Sequence, residues 1–164
     1  MSRSRNTKVF DLTVKANQIV EIMDGMVKAA QESVRPAAQA AAQVIYDEAR
    51  RLAPRSERAH FFYGTASKNA PPGQKKKFAY GPFQPGNLQR AIYQVYSEDN
   101  SGPGRATYHV SWNFEKAPYA YMVENGTVRA TARPFMRPAM LKIPEAQAAL
   151  EARFIREMKK RGAL

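Results

Sequence analysis

Hydrophobic and polar positions change rhythm several times along the chain, and each change marks an expected element. Residues 1–6 are polar and basic (Ser2, Arg3, Ser4, Arg5, Asn6) and read as a mobile arm. Val9, Phe10, Leu12 and Val14 are then interleaved with Lys8, Asp11 and Thr13, a partial alternation that suits a short strand or an extended lead-in. From about Ala16 the period becomes helical. Ile19, Val20, Met23, Met26, Val27 and Ala30 recur at three- and four-residue steps and predict one apolar stripe facing a core. Ser33 and Pro36 interrupt that stripe. A serine suits a helix N-cap and a proline its first turn, so two helices or one strongly kinked helix are expected. The alanine-rich segment Ala37–Leu52 carries Ala41, Val44, Ile45, Ala49 and Leu52 on one side and ends at Ala53-Pro54.

Residues 55–87 have no sustained period and hold four of the chain's eleven prolines and four of its nine glycines. They read as a long loop with aromatics near both ends (His60, Phe61, Phe62, Tyr63; Phe78, Tyr80, Phe83) and a basic tip at Lys75, Lys76 and Lys77. Two strands follow, Ala91–Tyr96 and Thr107–Phe114. The second alternates Tyr108, Val110, Trp112 and Phe114 against His109, Ser111 and Asn113, and the two are expected to pair as an antiparallel hairpin. Between Ala117 and Leu141 lie Tyr119 and Tyr121, then Glu124, Asn125, Gly126 and Thr127, then Arg133, Pro134, Phe135, Arg137 and Pro138. Two prolines four apart rule out a regular helix through Pro138 and push Arg133 and Arg137 toward extended geometry, so this stretch reads as a shaped connector. A helix is predicted over Pro144–Lys160 from Ala148, Leu150, Phe154, Ile155 and Met158. The expected fold is α+β, one domain over residues 1–164: a small antiparallel sheet packed against a long, kinked or split N-terminal helix, with a C-terminal helix.

Composition adds a partner class. The net charge is +12, which attracts polyanions or acidic protein surfaces. Lys75, Lys76 and Lys77 are the residues placed to touch phosphates or an acidic partner, and nearby aromatics can stack on bases. Cysteine is absent, which removes disulfides and thiolate metal sites. No apolar run approaches the roughly 20 residues of a membrane helix, and the N-terminus has no apolar core of a secretory signal. The two histidines, His60 and His109, stand at no metal-ligand spacing and read as loop and surface residues. The acids are scattered, with no pair arranged for acid–base work. No catalytic residue, cofactor or metal is expected.

Four blocks carry a resemblance. Ala53-Pro54, Gly86-Asn87-Leu88-Gln89-Arg90-Ala91-Ile92, the stretch from Pro118 to Thr127, and Ala132 to Ala139 together resemble the head–tail joining proteins of long-tailed double-stranded DNA phages, also called neck, tail-completion or minor-tail-protein-Z-like proteins. The likeness covers roughly residues 35–160, and its most specific part is Arg-Pro-Phe-x-Arg-Pro after a Glu-x-Gly-Thr turn. The chain departs from the pattern at Asn125, where the family often has an aromatic, and at residues 55–85, an insertion of about thirty residues. The resemblance implies a structural virion protein of the neck, assembled in the host cytoplasm. It would form a homo-oligomeric ring between capsid connector and tail, meeting head-connector and tail-terminator or tail-tube proteins and contacting DNA non-specifically. The motif residues so marked are Glu124, Gly126, Thr127, Arg133, Pro134, Phe135, Arg137 and Pro138. Glu124 can pair with Arg133 or Arg137, Phe135 can anchor the connector in the core, and Tyr119, Tyr121 and Val123 can pack beneath it. Charge alone supports an alternative, an independent non-specific DNA- or RNA-binding module. A third class, a small basic ribonuclease-like enzyme, would have to rest on His109 beside Tyr108.

Overall fold

A computed structural model describes residues 4–65 and 77–164, with side chains described at 18–62 and 79–164. The fold is α+β. Ser4–Leu52 form one helix of 49 residues, α1, about 70 Å long at 1.5 Å per residue. It replaces both the mobile arm expected at Ser4–Asn6 and the strand expected near Val9. Val9, Leu12, Ala16 and Ile19 are spaced by three and four, so the helical period seen later in the chain already begins there. The expected split at Pro36 is absent too. Ser33 is buried and caps nothing. Its hydroxyl donates back to the Ala29 carbonyl at 2.7 Å, as a mid-helix serine does. Pro36 therefore sits inside an unbroken helix, with alanines beyond it favouring that state.

The remaining elements are β1 (His60–Thr65), β2 (Lys77–Phe83), α2 (Asn87–Ala91), β3 (Ile92–Tyr96), β4 (Tyr108–Trp112), α3 (Ala120–Asn125), α4 (Met136–Ala139), a 3-10 turn (Met140–Lys142) and α5 (Ile143–Lys160). The described residues form two two-stranded antiparallel sheets rather than one. The hairpin β3–β4 has the expected position, with Ile92 opposite Trp112 and Tyr96 opposite Tyr108. It lies on α1, where Gln94 Nε2 donates to the Gln39 carbonyl at 3.2 Å and the Arg35 guanidinium stands 4.1 Å over the Tyr96 ring. The insertion expected to be a loop contains the hairpin β1–β2, paired from His60–Phe83 to Thr65–Lys77. Gly64, Gly81 and Pro82 break the alternation that would have announced it.

Helix α5 runs back along α1, and its far end is tied down by charge. Arg161 reaches Glu32 at 3.3 Å and Glu157 at 2.7 Å, while Arg153 holds the other Glu157 oxygen at 3.0 Å. The helix then stops. Gly162 takes φ +68 and the Ala163 N–H closes on the Met158 carbonyl at 3.1 Å, the left-handed termination that glycine favours. The stripe Ile19, Val20, Met23, Met26, Val27 expected to face a core therefore does not. Each of these side chains is 44% to 60% exposed, and every residue from Gln18 to Lys28 is exposed, because α5 reaches no further. The core lies at the other end of α1. Ala49, Ala53, Leu88, Ala91, Ile92, Ala117, Ala120, Phe135 and Ala139 form it, with Ile45, Val110, Trp112 and Met136 packed around. Six of these nine are alanines, so the elements approach closely around a single large ring, Phe135.

Candidate functional site

The connector is built around a buried carboxylate. Glu124, in the last turn of α3, is 5% exposed. Its Oε2 accepts the N–H groups of Phe135 (2.7 Å) and Met136 (3.0 Å), and its Oε1 accepts the N–H of Arg137 (3.1 Å). These are the N-cap and first two residues of α4, whose N–H groups have no partner within the helix. The next residue, Pro138, brings no N–H at all. One carboxylate from a different helix thus satisfies the donors that this helix start presents, and the negative charge sits at the positive end of the helix. Pro138 does not bar a helix here; it occupies the first turn, where a proline costs no hydrogen bond.

Of the two arginines, Arg137 is the partner. Its Nε lies 3.2 Å from Glu124 Oε1, and its Nη2 donates to the Glu124 carbonyl (3.1 Å) and to Asn125 Oδ1 (2.8 Å). Arg137 is helical rather than extended, held there by these bonds. Arg133 uses its backbone instead, donating to the Val123 carbonyl at 2.8 Å. Burial pushes the Glu124 carboxyl up, but the N–H groups of Phe135, Met136 and Arg137 and the Arg137 side chain outweigh it and hold the group below its ordinary value.

The turn between α3 and α4 is equally constrained. Gly126 has φ +76, and a Cβ there would lie 2.8 Å from the Ala132 backbone nitrogen. Thr127 Oγ1 accepts the N–H groups of Arg129 (3.2 Å) and Ala130 (3.0 Å), while the Thr127 backbone bridges Ala130. Pro134 is exposed at the surface. Phe135 is completely buried and meets Trp112 edge-on at 5.9 Å. Val123 packs against the core, but Tyr121 does not; it is 64% exposed. Tyr119 packs against the core as expected, and its ring also lies 4.9 Å from His60 and 5.1 Å from Phe83. His60 is therefore not a loop histidine at the surface. It is half-buried in an aromatic trio that fastens β1–β2 to the start of α3, and its buried Nδ1 has no hydrogen-bond partner among the described residues. His109 lies on the exposed side of β4, as expected.

The blocks around the connector are joined by direct hydrogen bonds. Gln89 Nε2 donates to the Ala53 carbonyl at 3.1 Å, and Arg50 Nε donates to the Gln89 carbonyl at 3.1 Å. Asn87 Nδ2 donates to the Lys116 carbonyl at 2.7 Å and to the Tyr119 hydroxyl at 3.2 Å. Burial pushes the Tyr119 hydroxyl up against the opposing effects of Asn87 and nearby Arg90. These contacts leave a cleft of about 590 Å³ between Pro54, Arg55, His60, Asn87, Tyr119, Val123, Thr127 and Arg133. The side chains of Arg55 and Arg133 form no ion pair among the described residues. A cleft lined by the Arg55 and Arg133 guanidiniums, which have no ion-pair partner among the described residues, can receive an acidic protein segment. Sequence reasoning missed Arg55, His60 and Asn87 as members of this site, because only the folded chain brings them beside Arg133.

Lys75 and Lys76 lie outside the described residues, and Lys77 begins β2 with its side chain outside them. Among the described residues, no group of three His, Asp or Glu is placed to hold a metal ion, and no helix is long and apolar enough to cross a membrane. No family model, curated protein or solved structure matches the chain.

Proposed function

We propose that this chain is a structural phage virion protein of the neck or tail-completion class, acting without catalysis as a ring at the junction of capsid connector and tail. The observation that supports this reading is the interlocking of the four resemblance blocks. Ala53 is bonded to Gln89, Asn87 to the Lys116–Tyr119 segment, and Glu124 to the residues 135–137. Stretches far apart in sequence are thus joined directly, and they share the cleft holding Arg55 and Arg133. A ring needs a head-to-tail interface in which two different surfaces meet. A cleft whose arginines lack ion-pair partners among the described residues is one such surface, and head-connector and tail proteins are its partners in this reading. The +12 charge suits a position around DNA, holding the duplex through phosphate attraction without sequence choice. Particles assembled without the protein are expected to accumulate as free heads and free tails in electron micrographs; normally joined particles overturn the reading.

The same charge favours a second reading, an independent nucleic-acid-binding module. It predicts that the isolated chain binds duplex DNA with strong salt dependence, and that changing Lys75, Lys76 and Lys77 to Glu abolishes binding. Absence of binding at low salt removes it.

A further inference from the structure

A run of exposed large apolar side chains lies on α1 between Gln18 and Lys28. Ile19, Val20, Ile22, Met23, Met26 and Val27 are 58%, 55%, 63%, 60%, 44% and 56% exposed. At 100° per residue these six fall within about 160° of the helix circumference, and Gln18, Glu21, Asp24, Gly25 and Lys28 occupy the remainder. The partition is complete: no polar residue interrupts the apolar side. That side is continuous with the one that α5 covers further along, where Ala29, Ser33 and Ala37 are buried. The bare stretch is thus an extension of an existing helix–helix contact surface, beyond the point where Gly162 ends α5.

Charge selects the occupant. Residues 4–28 carry Arg5, Lys8, Lys15 and Lys28 against Asp11, Glu21 and Asp24, that is +4 − 3 = +1, so the rest of the +12 chain carries +11. Helices that lie on anionic lipid or along nucleic acid have basic polar faces. Here the polar face of Gln18–Lys28 holds two acids and one lysine. This segment is close to neutral within a chain that otherwise repels itself, so it is where two copies can meet at least electrostatic cost. The apolar arc is also wider than the two-position seam of a two-stranded coil, which lets one helix touch a neighbour on either side.

We propose that the Gln18–Lys28 part of α1 is a self-association seam, covered in solution by the same segment of further copies of this chain. The inference does not rest on the neck reading: it needs only the exposed apolar side and its charge. It describes a bundle of three or more helices in which Ile19, Met23 and Met26 point inward and Glu21 and Asp24 outward.

The absence of cysteine makes the test direct. Met23→Cys in the full chain is expected to form disulfide-linked dimers on mild oxidation, and Asp24→Cys is expected to stay unlinked. In sedimentation, the parent chain is expected to associate at micromolar concentration. The double variant Met23→Glu, Met26→Glu is expected to weaken association at least tenfold while its melting temperature at high dilution stays unchanged, since both side chains are exposed in a single copy. A parent that is monomeric at all concentrations overturns the proposal. So does an acidic double variant that associates like the parent, equal cross-linking at positions 23 and 24, or binding to anionic vesicles by a chain that remains monomeric. Self-association by a chain that is missing from joined particles would retain this inference and remove the neck reading.

Discussion

The two ends of this molecule treat apolar surface in opposite ways. Around Phe135 it is fully enclosed: alanines on α1, α2, α3 and α4 crowd one aromatic ring, and the helix start beside it has its donors taken by Glu124. Along Gln18–Lys28 six large apolar side chains stand in water. The difference is whether another part of the same chain reaches them: α2, the β3–β4 hairpin, α3 and α4 close on α1 around Phe135, while Gln18–Lys28 stays uncovered among the described residues. Apolar periodicity identifies which side of a helix wants cover, while supply of the cover is a matter of tertiary structure.

Substitutions can break this contrast at the enclosed end. Phe135→Ala is expected to have the largest effect, a loss of about 4 kcal/mol in denaturant unfolding, because the ring leaves a cavity among side chains too small to fill it. Glu124→Gln is expected to cost about 3 kcal/mol, since an amide cannot serve three backbone donors and a guanidinium at once. The same residue gives a pH signature. Its folded pKa is lowered, so its contribution is complete above the ordinary value of 4.5 and is lost as pH falls through that value toward the folded one. Glu48 and Glu157 are also lowered, Glu48 first by its hydrogen bond to Arg51 and Glu157 first by its hydrogen bond to Arg161, and they add to the acid limb. Urea midpoints measured from pH 7 to pH 3 are therefore expected to fall less steeply in Glu124→Gln than in the parent.

Gly126→Ala comes next, at about 2 kcal/mol, because a β-carbon at φ +76 meets the Ala132 backbone nitrogen rather than a side chain that can yield. The smallest effect sharpens the contrast from the other end. Ile22→Gln, although it removes a large aliphatic group, is expected to change the stability of the dilute single copy by less than about 0.5 kcal/mol, because that side chain is 63% exposed. A cost like that of Phe135→Ala would mean that the two ends are not different in kind.

Much of this was legible in the sequence. The alternation at Tyr108, Val110 and Trp112 located β4, and the helical period after Pro144 located α5. Glu124 and Phe135 stood out by residue type and position. Other features were hidden by local rules that tertiary contacts override. Pro36 looked like a break, but the alanine-rich helix continues through it. Pro134 and Pro138 looked like an extended connector, but an acid eleven residues away caps a helix that a proline can open. Strands β1 and β2 carry Gly64, Gly81 and Pro82, and His60 and Phe83 meet Tyr119, a contact no local spacing announces. The cleft residues Arg55 and Arg133 lie 78 positions apart, a distance no spacing rule spans.

The capped helix start also bears on the order in which the chain organises itself. Glu124 and its farthest donor, Arg137, are 13 residues apart. Closing so short a loop loses little chain entropy, and a tight turn at Gly126 and Thr127 already bends the segment back. The segment 119–137 is thus a low-contact-order unit inside a protein that also has joints as distant as Arg161 to Glu32, 129 residues apart. It can form early, before the distant helices dock, and present Phe135 as the ring on which the later alanine-lined elements condense.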